Sequence, residues 1–325
     1  MKTPLVLDKT LKCLNLRIEE SWVQIYIDQL YSELEEKGIK FRPHIWISDE
    51  WFSPDGVPGF AIPFYILRRD LRNIYRDQVG ELEGATPATI MKLLRHEAGH
   101  AIDNAYRLKN RIGRKLVFGD HSEEYPSTYT YRRNFTEHVN HLSCGYAQSH
   151  PCEDFAETFA VWLDPDSDWQ NKYKNREKVL NKLIWMDSTM KAIGKLKPSL
   201  KNLRRVDPID KSDESLRFFL QRKRKETGIN RFRALNKIMT KSNEIDSQRH
   251  TFLTLLNEQK ASICSEVKEE TNRPNYVVRE IFKQLVEKIR VQSLVPKGAE
   301  DEFLDDFTRI MSQECRKKDT PIIYM

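Results

Sequence analysis

No segment of this 325-residue chain is apolar for long enough to cross a bilayer, because its hydrophobic residues, 39% of the total, are interrupted throughout by charge. A membrane span is excluded on that ground, and a protein that lives in water is expected. The N-terminus, MKTPLVLDKTLKCLNLRIEE, breaks its short apolar stretch with Asp8, Lys9 and Lys12. It lacks the continuous apolar core of a signal peptide, so a cytoplasmic location is expected. Cysteine is scarce as well: Cys13, Cys144, Cys152, Cys264 and Cys315 are scattered and odd in number. That pattern excludes a disulfide framework and fits reduced thiols. An excess of either charge is missing from residues 1–200, which hold 28 Lys and Arg against 28 Asp and Glu, whereas residues 201–325 hold 26 against 20. Any attraction for nucleic acid or an acidic partner is thereby confined to the C-terminal part, densest in RKRKETGINRFR at residues 222–233. The same stretch also fits an ordinary solvated helical face.

What the sequence does contain is His96-Glu97-Ala98-Gly99-His100. A helical turn takes about 3.6 residues, so His96 and His100 stack on one face and can share an ion, with Glu97 in reach of a water on it. Thr86-Pro87 supplies an N-cap and a favoured first helical residue, and Ile90, Leu93, Leu94, Ala98, Ala101 and Ile102 give the segment apolar faces. A helix from about Pro87 to Lys109 is predicted, with the motif near its middle.

A catalytic zinc usually takes three protein ligands and leaves one position open, so a third donor is required from another element. No third histidine stands at the short spacing of a three-histidine site. The segment SHPCEDFAETFAVWL, residues 149–163, offers an alternative: Phe155, Phe159 and Trp162 fall at core spacing, while Glu153, Ala156, Glu157 and Ala160 form a separate stripe. Its alanines permit close approach to the motif helix. Glu153 is assigned as the third ligand and Glu157 as the acid that orients a ligand imidazole. Asp103, three residues after His100, is the rival ligand, but a donor from the same helix would enclose the ion poorly, and an outer, supporting role suits it better. Cys152 adjoins Glu153, so oxidation there could affect activity.

With these residues, RHEAGHAID and YAQSHPCEDFAETFAVWL together with the intervening FGD at 118–120, the chain resembles the zincin metallopeptidases of the glutamate-ligand type, and more closely the bacterial family described as "putative zinc-binding metallopeptidases". Lethal-factor-type metallopeptidases have a similar arrangement, with a tyrosine seven residues before the ligand glutamate and a second glutamate four after it. Tyr146, Glu153 and Glu157 match those positions. The resemblance implies zinc-assisted hydrolysis of a peptide or amide bond, with Glu97 as general base and Tyr146 as a phenol donor to the oxyanion. It implies a zincin-like α+β catalytic domain as well. It covers the middle of the chain and weakens beyond it.

Along the chain, an opening helix is expected from about Ile18 to Lys37, then β segments at His44 to Ser48 and Gly59 to Leu67 around the turn-forming SPDGVPG. GFAIPFY is the candidate strand beside the cleft, with Pro63 suited to an edge. His138 and His141 are expected on a helix between the ligand segments, packing near the cleft and not holding a second metal. His150 is expected to cap the following helix or sit at the pocket rim, and His121 has only loop context. The tyrosine- and arginine-rich YPSTYTYRRNF can shape the substrate pocket. Asp164, Asp166 and Asp168 lack the glycine and distal glutamate of a calcium loop and read as a helix-ending turn. The Pro- and charge-rich stretch from Lys197 to Ser215 divides a metallopeptidase domain, 1–200, from a mostly helical, basic region, 201–325.

Two functions compete. One is a zinc metallopeptidase acting on a peptide or protein; the other is a non-catalytic zinc protein whose basic tail recruits nucleic acid or an acidic partner. Glu97 favours the first, since a structural zinc needs no base and usually has a fourth protein ligand. A SprT-like protease acting on DNA-bound protein would join the two ideas, but its third ligand is expected to be histidine.

Overall fold

The computed structural model describes residues 6–80, 82–126, 129, 136–226, 232, 234–241, 246–292 and 294–316. Contacts divide the chain into two units, one of residues 9–72 and 83–214, the other of residues 1–8, 73–82 and 215–325. The fold is α+β with a helical C-terminal region. In chain order the elements are α1 (Gln24–Glu36), β1 (His44–Ser48), β2 (Gly59–Pro63), α2 (Arg69–Gln78, shared between the units), α3 (Pro87–Tyr106), α4 (Ile112–Phe118), α5 (Pro151–Leu163), α6 (Trp169–Lys172) and α7 (Glu177–Ile193). They continue with α8 (Leu216–Glu226), α9 (Leu235–Ile238), β3 (Met239–Lys241), α10 (Asp246–Thr271), α11 (Asn275–Val291), β4 (Leu294–Pro296) and α12 (Glu300–Arg316). No helix of the described residues is long and apolar enough to cross a membrane.

Helix α3 starts where Thr86 and Pro87 predict. The Thr86 hydroxyl accepts from the Thr89 amide at 3.2 Å and the Thr89 hydroxyl accepts from the Thr86 amide at 3.1 Å, a reciprocal cap. Arg107, left-handed at φ 51°, ends it, and Leu108–Asn110 tighten into a 3₁₀ turn, so the helix stops short of Lys109. Buried Arg95 donates to both Glu33 oxygens of α1 at 2.7 Å and pairs with Asp164 at 3.0 Å, tying α1, α3 and the end of α5 together. At the opening of the chain, Ile18–Val23 form turns and α1 begins only at Gln24.

Strands β1 and β2 pair in parallel, His44 opposite Gly59 through Ser48 opposite Pro63. Gly59 is required there, because a Cβ would lie 2.2 Å from the His44 carbonyl oxygen. All of β2 is buried, and its other side is engaged by Phe52, whose carbonyl accepts from the Ala61 amide at 2.8 Å. This corrects the expectation for GFAIPFY: β2 lies in the core, its last residues Phe64–Ile66 turn into a 3₁₀ helix, and the outer segment is the one around Phe52. The stretch from Lys197 to Glu214 returns to this unit, where the Val206 carbonyl accepts from Trp46 Nε1 and the Asp207 carbonyl from Ser48 Oγ.

The other unit is built on apolar helix contacts. Phe252 meets Phe303 edge-on at 4.6 Å, Phe282 meets Phe307 at 5.8 Å, and Leu256, Val267, Leu285 and Met311 fill the space between. Helix α10 ends before Pro274, and the break between α11 and α12 at Val295-Pro296 contains β4, antiparallel to β3.

Candidate metal centre

Two chain segments far apart in sequence supply three donors to one point. His96 Nε2 and His100 Nε2 lie 3.2 Å apart, and Glu153 Oε2 is 3.1 Å from each. These three form the group among the described residues able to hold a metal ion. Glycine explains the approach of the helices. A Cβ on Gly99 would stand 3.0 Å from the Ala156 Cα and 3.2 Å from the Phe159 Cβ, so the glycine of the motif and the alanine of the acidic stripe together let α5 settle onto α3.

The second acid of that stripe stands behind the first histidine. Glu157 Oε1 is 3.0 Å from His96 Nδ1, and its Oε2 accepts from the Leu142 amide at 2.8 Å. With Nδ1 protonated toward Glu157, Nε2 is left as the donor atom facing His100 and Glu153. Burial pulls the His96 imidazolium down, but the bonds to Glu153 and Glu157 outweigh it and its pKa is raised well above the ordinary value. Glu153 is the mirror image: burial raises its pKa, and the two histidines win and hold it well below. Two imidazoles and one carboxylate converging on a point, with one imidazole braced from behind, suit a borderline ion such as zinc.

Glu97 is buried, and its Oε2 has no hydrogen-bond partner. Burial raises its pKa against the pull of His96 and His100. An unpaired buried carboxylate oxygen is a costly feature and calls for a partner that the described residues do not provide. Tyr146 packs its ring 5.5 Å from that of His96, and its hydroxyl is pushed far up by burial and by the negative charge of Glu153 and Glu97.

A cavity of about 430 Å³ opens onto these groups, lined by His96, Glu97, His100, Tyr146 and Glu153 on one side and by Trp51, Phe52, Ser53 and Asp55 on another. Asn104 holds that second wall in place. Its amide donates to the Pro54 and Val57 carbonyls at 3.0 and 3.1 Å, and its carbonyl accepts from the Gly56 amide at 3.2 Å, binding the SPDGVPG turn to α3 one turn beyond His100. Two more buried polar atoms, Trp51 Nε1 and His121 Nδ1, belong to residues that line the same space and have no hydrogen bond among the described residues, the second lying 3.9 Å from the Asp120 carboxylate.

Of the residues singled out from sequence, His96, Glu97, His100, Tyr146, Glu153 and Glu157 come together. Asp103 lines the cavity but is not one of the three grouped donors, its carboxylate accepting from the Lys109 amide at 2.7 Å and from Arg114 at 3.0 Å. It supports the turn after α3. His150 caps α5 by accepting from the Cys152 amide at 3.1 Å, one of its two expected places. The helix expected around His138 and His141 is absent: residues 136–142 are irregular, because His141 Nε2 bonds to the Lys92 carbonyl and the Leu142 amide is taken by Glu157. The acidic turn is present, with Asp164 ending α5 and Asp168 capping α6. Most of YPSTYTYRRNF and the basic stretch beyond Glu226, except Phe232, lie outside the described residues.

Sequence reasoning missed Asn104, the Arg95–Glu33 pair and the individual role of Tyr125, whose hydroxyl donates to Glu153 Oε1 at 2.9 Å. Arg95 and Asn104 flank the motif at helical spacing and gave a periodicity signal of sorts. Nothing local marked Tyr125 apart from its place in a tyrosine-rich loop.

No curated protein and no solved structure matches the chain. Residues 71–193, which carry all three donors, do match a family model, and the family is described as zinc-binding, in accord with the His96, His100 and Glu153 group. That segment is similar to the family described as "Putative zinc-binding metallo-peptidase".

Proposed function

We propose that the protein is a zinc-dependent peptidase in which His96, His100 and Glu153 hold the ion and Glu97 is the general base. The observation that carries the reading is Glu97 Oε2, buried on the residue next to His96 and lacking any hydrogen-bond partner among the described residues. A purely structural ion would leave no use for that oxygen.

When bound, zinc supplies a Lewis acid that makes a water more acidic and polarises a carbonyl. Glu97 takes the proton of the attacking water and passes it to the leaving amine, a role that its raised pKa suits, since a stronger base retains the proton until the C–N bond breaks. Tyr146 stays a neutral phenol, because its pKa is raised, and so keeps a proton to donate to the substrate's developing oxyanion. Glu157 keeps His96 in the tautomer with Nε2 available. The aromatic Trp51 and Phe52, with a Trp51 N–H that has no hydrogen bond among the described residues, support a peptide substrate, whose backbone offers carbonyl acceptors. The action is on a peptide or protein in the cytoplasm, and no observation favours the nucleic-acid-recruiting alternative.

The test is Glu97→Gln, which preserves volume and removes the base. Hydrolysis of a mixed peptide library should fall by about 10²- to 10⁴-fold with zinc retained. A variant as active as the wild type would end the hydrolase reading.

A further inference from the structure

Glu153 divides its two carboxylate oxygens between separate tasks. Oε2 faces His96 and His100, while Oε1 accepts from the Tyr125 hydroxyl at 2.9 Å. Tyr125 is itself held. Its ring lies face-on upon that of His150, with centroids 3.7 Å apart and planes 16° from parallel. His150 is fixed at both nitrogens, Nδ1 accepting from the Cys152 amide at 3.1 Å and Nε2 donating to the Glu123 carbonyl at 2.9 Å. One buried imidazole thus caps the helix that carries Glu153, anchors the segment that carries Tyr125, and provides the surface on which the tyrosine ring rests.

We infer that Tyr125, seated on His150, is a positioning residue of the centre that restricts Glu153 to offering one oxygen to the ion. The inference rests on the zinc reading above. A carboxylate beside a divalent ion can present one oxygen or two, and a second oxygen would compete for the position that a four-coordinate zinc leaves to water. A phenol bonded to Oε1 withdraws that oxygen, and a donor bonded to a ligand carboxylate is the kind of outer partner whose loss costs activity without removing the ligand. Tyr125 is about half exposed, 54%, so its bond to Glu153 is not forced by packing alone, and the stack on His150 supplies the orientation.

The experiment compares wild type, Tyr125→Phe and His150→Asn after loading with cobalt(II). Phenylalanine keeps the stack and deletes the hydroxyl; asparagine keeps a helix-capping side chain and deletes the platform. Metal per chain, the visible absorption of the cobalt and peptide hydrolysis by the zinc form are measured. Tyr125→Phe should bind metal fully while its cobalt bands weaken and shift as a second carboxylate oxygen enters. Its kcat should fall about tenfold with KM little changed. His150→Asn should move the bands in the same direction. Cobalt spectra of both variants that superpose on a fully loaded wild type would overturn the positioning role and leave the zinc reading intact. A wild type that takes up no metal would overturn the reading itself.

Discussion

The two units bury different things. Among the described residues, the unit of residues 9–72 and 83–214 buries Glu33, Arg95, His96, Glu97, Asp103, Arg114, Glu153, Asp154, Glu157 and Lys182, whereas the helical unit fills its core with Phe, Leu, Ile, Val and Met and hides few charges, Lys288 and Lys223 among them. Burying a charge is costly unless it is paired, and replacing a buried pair with apolar residues is often neutral or better for stability. This unit nonetheless buries them, and four of the named groups, His96, Glu97, Asp103 and Glu153, line one cavity. The helical unit shows what the same chain does where packing alone decides.

The contrast can be broken most forcefully at the Arg95–Glu33 pair. Glu33→Ala should leave the Arg95 guanidinium buried with only Asp164 beside it and cost about 3 kcal/mol of unfolding free energy, read by denaturant titration. A change of a few tenths would mean that the buried charges of this unit are incidental. A smaller effect is expected at His138, which burial and then the neighbouring Lys182 push down to about 3, close to Asp154 at 3.7 Å. The folded state then keeps His138 neutral while the unfolded chain protonates it near its ordinary value. Stability from this group is complete above about pH 6.5 and is lost as pH falls from there towards 3. In His138→Gln the melting temperature should decline less steeply over that window, and an unchanged slope would remove the assignment. The smallest effect belongs to the helical unit. Lys288, buried and donating to the Phe232 carbonyl at 2.6 Å, can become Met with zinc content and hydrolysis unchanged. A loss of either would show that the chemistry is not confined to the first unit.

How much was legible in the sequence follows the reach of each interaction. Thr86-Pro87, the HExxH spacing and the acidic stripe of α5 are local patterns, and each fixed an element or a face within a few residues. The alanines of that stripe even signalled the close approach of the helices, which Gly99 meets from the other side. What escaped depends on contacts across long separations: Phe52 covering β2, Asn104 gripping the Pro54–Val57 turn, and Tyr125 reaching Glu153. The failed helix around His138 and His141 has the same origin, since Lys92 and Glu157 claim backbone and side-chain groups that a helix would need. Local propensity yields where distant partners satisfy the backbone first.

The central claim is that α3 and α5 together make one metal site. Its most direct test is zinc per chain by elemental mass spectrometry on protein purified without a metal-binding tag, for wild type, Glu153→Ala and Asp103→Ala. The account predicts about one zinc in wild type and in Asp103→Ala, with most of it lost in Glu153→Ala, because Glu153 gives an oxygen to both histidines while Asp103 is engaged by Arg114 and Lys109. A wild type without zinc even after reconstitution, or a Glu153→Ala protein that keeps its zinc, would contradict it.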